Sequence, residues 1–178
     1  MNKHDARLAN LLGALALGVT DRMREAVLDE TNLAGETSAA IVVIGHAPGL
    51  SINQLSRALQ LSHAGAVRLI DRLGTAGLVT RGQAAHDRRV AVLQLTCTGE
   101  DQRSAILSRR EQVLAPLLDN LEAEDRVALA RITQALLRAM PTSATSALTV
   151  CRLCDNQQCT DCPMAEFGVL DIQGGTHQ

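Results

Sequence analysis

The 178-residue sequence predicts a mainly α protein that carries one small β-hairpin. Three observations lead there. Hydrophobic residues make up 46% of the chain, yet there is no Trp, no Tyr and a single Phe, so the core must be aliphatic. Leu and Ala, two of its main components, are strong helix formers. Apolar residues recur at helical spacing over most of the chain, and only between residues 77 and 96 does that spacing give way to two short runs around a polar, basic turn.

The elements follow in order. Leu8, Leu11, Leu12, Leu15 and Val19 form one stripe that continues through Met23 to Val27, so residues 7–29 read as a long amphipathic helix. The stretch 8–19 follows Lys3 and Arg7 as a secretory leader would. Asp5 and Asn10 interrupt it and the stripe runs on, so a helix joining the folded core is expected, and the protein is expected to be cytoplasmic with reduced thiols. No apolar run approaches the ~20 residues that span a membrane. Gly35 to His46 reads as a second helix, stopped by Ala47-Pro48-Gly49, with His46 as a helix-end residue. Ser51 caps a short helix with Ile52, Leu55 and Leu59 on one face. A break at Gln60 to His63 follows, and Ser62 caps the next helix, with Val67, Leu69, Ile70 and Leu73 facing inward. Two short helices with such a turn make a helix-turn-helix.

Gly74 to Gly77 end that helix. GLVTRG then reads as a strand, QAAHDRR as a turn, and VAVLQLT as a second strand in which Val90 and Val92, then after a shift Leu93 and Leu95, face inward. A hairpin placed directly after a helix-turn-helix is a wing. Thr98 is expected to cap a long helix over 99–120 with a possible kink at Pro116. Leu121 to Glu124 opens another helix to Met140, with Val127, Leu129, Ile132, Leu136 and Leu137 apolar, and Pro141 ends it.

Charge is unevenly spread. Between Arg57 and Arg89 lie six arginines and two aspartates, a net of +4, which leaves −6 for the remainder of a chain whose total is −2. A basic segment on an acidic body is the footprint of a nucleic-acid contact face. The plainer alternative is a solvated charged surface.

The run 61–100 carries a set of motifs in fixed order: Arg68-Leu69-Ile70-Asp71-Arg72-Leu73, then Gly77 to Arg81, then Asp87-Arg88-Arg89, then Leu95 to Gly99. Together they resemble the MarR family of bacterial winged-helix regulators, and the helices on either side extend the resemblance to roughly residues 7–140. It implies a homodimer on double-stranded DNA, with residues 1–34 and 98–140 as dimerisation helices around a winged helix-turn-helix at 35–97. Residues 141–150 are then a linker, and 151–178 a cysteine-rich segment and tail outside the family's plan. The resemblance also implies roles. His63 and Arg68 would meet base edges, beside Ser62 and Gly65 at the exposed start of the recognition helix. Ser51, Asn53, Gln54 and Arg72 would touch phosphates. Arg88 and Arg89 would sit at the wing tip with one in the minor groove, oriented by Asp87, and His86 would be a surface residue there. Arg81 is divided between a phosphate contact and a surface salt bridge. Many relatives are released from DNA by small phenolic or lipophilic ligands bound between winged helix and dimer helices; an apolar crevice fits here, without aromatic side chains to stack on a ligand.

Cys151, Cys154, Cys159 and Cys162 form two C-x2-C pairs separated by four residues. In a reducing compartment such a cluster points to metal or redox chemistry. Zinc suits it, because thiolates from C-x2-C pairs wrap a tetrahedral ion. An iron–sulfur cluster is the alternative: Cys154-x4-Cys159-x2-Cys162 has plant-type ferredoxin spacing and Cys162-Pro163 echoes a bacterial ending. A metal-free thiol–disulfide switch is the third reading. Fixed zinc would brace the dimer domain, whereas a labile centre would sense redox or metal state. Arg152 is placed to offset thiolate charge, and Cys97 is expected as a small buried hydrophobe. The leading function is thus a DNA-binding regulator, most simply a repressor, and not an enzyme. A redox or iron–sulfur electron-transfer protein on a helical scaffold is the alternative. A cysteine hydrolase is disfavoured by the lack of a glycine-framed nucleophile.

Overall fold

The structure, a computed structural model, describes residues 3–31, 33, 35–83, 91–159 and 161–168. In order these form α1 (Lys3–Thr31), α2 (Gly35–His46), α3 (Ile52–Ala58), α4 (His63–Thr75), β1 (Val79–Gln83), β2 (Ala91–Leu95), α5 (Cys97–Asp119), α6 (Ala123–Arg138) and α7 (Ala144–Val150). A 3-10 turn at Ala165–Phe167 follows. The expected fold class holds: helices dominate and the sheet is one antiparallel pair, in register from Val79 opposite Leu95 to Gln83 opposite Ala91.

The core sits around α2. Its residues Ser38 to Ile44 are all buried, as suits a helix that is apolar on every side. Leu50, Leu55, Leu69, Ile70, Leu73, Leu93 and Ile106 close over it from α3, α4, β2 and α5. Each such side chain contributes about 1.5–3 kcal/mol by leaving water. Within α4 the inward set is Ala66, Leu69, Ile70 and Leu73, while Val67, expected inside, is half-buried at the margin. His63 belongs to the first turn of α4, not to the break before it.

The chain uses β2 more fully than its alternation suggests. Gly49 donates to the Leu93 carbonyl at 2.9 Å and Leu93 donates to the Leu50 carbonyl at 2.9 Å, while Ser51 bridges Val92. The stretch before α3 thus acts as a third short strand. Helices α2, α3 and α5 also contact β2, so the adjacent residues Val92 and Leu93 are both buried. Val90 lies outside the described residues.

Three expectations are corrected by local chemistry. Thr96, not Thr98, caps α5: its hydroxyl accepts from the Gly99 amide at 3.0 Å, so the helix starts at Cys97. Cys97 is therefore exposed in a first helical turn and is not a core residue. The Ser/Thr/Ala stretch expected as a linker folds instead. Ser143 and Ser146 close a reciprocal capping box, α7 runs from Ala144 to Val150, and Ala147 is buried. Pro116 lies inside α5, as expected.

Helix α7 packs against α3. The cysteine segment is consequently seated on the helix-turn-helix of its own chain, and it is also tied to α5 and α6 through Arg103 with Asn156 and Arg138 with Glu166. Arg103 anchors it. This arginine is 8% exposed, and its Nη2 donates to Asn156 Oδ1 at 3.0 Å. Its stem runs so close over Gly45 that a Cβ there would collide with it. Arg103→Ala removes that packing and the hydrogen bond together, so unfolding free energy should fall by about 2–3 kcal/mol. Urea denaturation measures this, and limited trypsin digestion should cut the C-terminal segment of the variant first.

Candidate nucleic-acid interface and cysteine cavity

One face of α4 is built for presentation. Leu69, Ile70 and Leu73 fix it to the core, and the opposite side leaves Ser62, His63, Arg68 and Arg72 exposed, with Gly65 half-buried. Ser62 closes the helix start by accepting from the Gly65 amide at 3.1 Å. The first turn, where helices in the major groove meet base edges, is therefore ordered and open.

Before α4, the candidate phosphate residues divide. Asn53 is exposed. Ser51 and Gln54 form a capping box: the Gln54 amide donates to Ser51 Oγ at 3.2 Å, and Gln54 Oε1 accepts from the Ser51 amide at 2.7 Å. The identities of these two residues thus have a structural cause that needs no DNA. Arg81 makes a salt bridge, its Nη2 pairing with Asp71 Oδ1 between β1 and α4. Both side chains are roughly half-exposed, so the pair is worth at most about 1 kcal/mol, and its main effect is to set the hairpin's angle against α4. His86, Asp87, Arg88 and Arg89 lie outside the described residues.

Two helices display apolar surface that no described residue covers. On α1, Leu8, Leu11, Leu12 and Leu15 are 46–60% exposed, at the spacing of one helical stripe. On α6, no residue is buried, and Val127, Ile132 and Leu136 stand out with Met140 just beyond. Contiguous apolar patches of this kind mark association surfaces. Among the described residues, no helix is long and apolar enough to cross a membrane.

A crevice of about 350 Å³ lies where α1, α2 and the end of α3 meet α7. Met23, Val27, Ala39 and Leu59 give it apolar walls, but Arg24, Arg110 and Arg152 also line it, against the single carboxylate of Glu36. It is more cationic than the apolar crevice expected from the sequence.

The four C-terminal cysteines line one cavity of about 240 Å³, together with His46, Ala47, Pro48 and Met164. None is in a disulfide. A hydrogen bond from Cys151 holds the Cys154 thiol down to about 6 against the opposing effect of burial, helped by Arg110 and Arg152. The same bond, with burial and the neighbouring thiols, pushes Cys151 well up, so the pair shares one proton. Burial and then Cys162 raise Cys159. Among the described residues, no three His, Cys, Asp or Glu groups are placed closely enough to hold a metal ion as they stand.

The sequence marks His46 only as a helix-end residue. It ends α2 and lines the cavity of the four cysteines. Its Nε2 is shut from solvent and has no hydrogen-bond partner. Burial first, and then the charge of Arg103, keeps the ring below the ordinary imidazole range and hence neutral. Only the fold brings this side chain, over 100 positions earlier in the chain, to the thiols.

Known proteins resemble this arrangement. Residues 31–90 match the MarR family, a match that ends before the cysteine segment. The HTH-type transcriptional repressor MdtR of Bacillus subtilis is 25% identical over 124 residues, spanning 68% of this chain and 80% of the relative. A MarR family protein from Bacillus stearothermophilus superposes with a TM-score of 0.72 at 26% identity, covering 79% of this chain and 98% of that one. A MepR variant of S. aureus, bound to an oligodeoxyribonucleotide, shares the fold at a TM-score of 0.55 and 19% identity, covering 75% of this chain and 98% of that one.

Proposed function

The chain belongs to the MarR family of winged helix-turn-helix transcriptional regulators, and from that premise we propose that it acts as a homodimeric repressor on palindromic duplex DNA. The observation that carries this reading is the exposed face of α4, where Ser62, His63, Arg68 and Arg72 stand clear on a helix fixed by its buried side. A helix of this size fits the major groove, and a two-fold pair of them reads half-sites about one helical turn apart. The apolar stripes of α1 and α6 supply the dimer contact. The cationic crevice beside α7 is the place for a small-molecule effector, and its three arginines favour an anionic one.

The four cysteines, on this reading, bind one zinc ion per chain. Zinc suits a pair of C-x2-C units, and binding folds a segment too small to hold itself together. The side chains must turn inward to close around the ion, since they are not gathered as they stand. An iron–sulfur cluster is the competing occupant, and metal plus acid-labile sulfide analysis separates the two.

Arg68 and Arg72 test the DNA reading from two sides. Arg68→Ala should weaken the preferred site by about 1–3 kcal/mol and flatten discrimination at one base position. Arg72→Ala should weaken all duplexes alike and reduce the slope of log affinity against log salt by about one. Fluorescence anisotropy with specific and scrambled duplexes distinguishes the two patterns. Equal loss on both duplexes for Arg68→Ala would remove it from base readout.

A further inference from the structure

We propose that His46 is a ligand of the zinc site, joining Cys151, Cys154 and Cys162, so that the ion cross-links the winged-helix body to the C-terminal segment. This rests on the zinc reading of the cysteines given above and deepens it. Two features of the imidazole point to ligation. Its Nε2 is buried and unpartnered, which is costly for a polar atom unless something binds it. It shares one cavity with all four thiols.

Five donors then compete for four tetrahedral positions. Cys151, Cys154 and Cys162 are half-buried, while Cys159 is exposed at the cavity's edge. Cys159 is the donor left over, and a Cys3His set is an ordinary zinc site.

The cross-link has a direct line to the DNA-reading parts. His46 is followed by Ala47 and Pro48, which also line the cavity, and then by Gly49 and Leu50, which hydrogen bond to Leu93 at the base of the wing. Helix α7, which leads into the cysteines, packs on α3. Zinc occupancy therefore sets how firmly the wing's base and the helix-turn-helix are held, and removing the ion should weaken operator binding about tenfold or more.

The test is X-ray absorption at the zinc edge on the full-length wild-type protein, followed by zinc titration of His46→Ala and Cys159→Ser. The expected shell is three sulfurs and one nitrogen. His46→Ala should lose at least about a hundredfold in zinc affinity, while Cys159→Ser stays within about threefold of wild type. A four-sulfur shell, with Cys159→Ser weakened and His46→Ala unchanged, overturns the role of His46 and leaves the zinc reading standing. Wild-type protein that binds no zinc, or holds iron and sulfide instead, overturns the zinc reading itself. The absorption measurement needs no variant, so misfolding of His46→Ala does not cloud the result.

Discussion

Placing glutamate at both Leu11 and Leu15 is expected to leave a folded protein that no longer dimerises and binds operator DNA at least about a thousandfold more weakly. Both leucines are more than half exposed, so the monomer loses almost no packing. In the dimer each would put a carboxylate into an apolar contact, at a cost of several kcal/mol per group, and every 1.4 kcal/mol is tenfold in association. A lone subunit reads only one half-site, which removes most of the specific affinity. Sedimentation velocity gives the oligomeric state and circular dichroism the fold. A variant that stays dimeric with wild-type affinity would place the interface elsewhere.

Among the described glycines, Gly99→Ala is expected to be the most damaging change to alanine. In the middle of a helix this change is ordinarily favourable by up to about 1 kcal/mol. Here a Cβ would collide with the backbone carbonyl of Leu78, which itself accepts from the Thr96 amide at 3.0 Å. Leu78 leads into β1 and Thr96 follows β2, so relief of the clash must part the root of the hairpin from α5. Neither neighbour is a flexible side chain that could swing aside. A loss of about 3 kcal/mol follows, or a drop in melting temperature of roughly 6–12 °C for a protein of this size. Differential scanning calorimetry reads it directly, and an unchanged or raised Tm would show that the packing around Gly99 has been misjudged.

Much of the fold was legible because local and long-range signals agree. The Leu8–Leu15 stripe, the Ser51 and Ser62 caps and the alternation around the hairpin each specify an element without outside help. The motif Leu95 to Gly99 was legible as a pattern, but its reason was not. Thr96 supplies the cap and Gly99 the space for the Leu78 carbonyl, a contact between residues more than twenty apart in the chain. Helix α7 was missed because Ser and Thr, which favour caps and turns, interrupt its Ala residues, and a capping box plus burial of Ala147 against its neighbours decides the outcome.

The candidate sites divide the same way. The α4 face followed from the motif and from amphipathic spacing. Ser51 and Gln54 were assigned to phosphate, and their hydrogen bonds give them a capping role that residue type alone does not separate from a DNA contact. The cysteines announced themselves by spacing. His46 did not, since a single histidine beside a helix stop carries no signal until tertiary packing sets it against residues 151–162.

On the proposed function, α4 of a symmetric pair of chains reads duplex DNA. Selection from a random pool of duplexes, with the full-length protein at moderate salt, tests it most directly. The expected result is enrichment of one inverted repeat with half-sites about ten base pairs apart, bound less tightly as salt rises and lost with Arg68→Ala. A pool that emerges unenriched, or affinity that ignores both salt and Arg68, would contradict it.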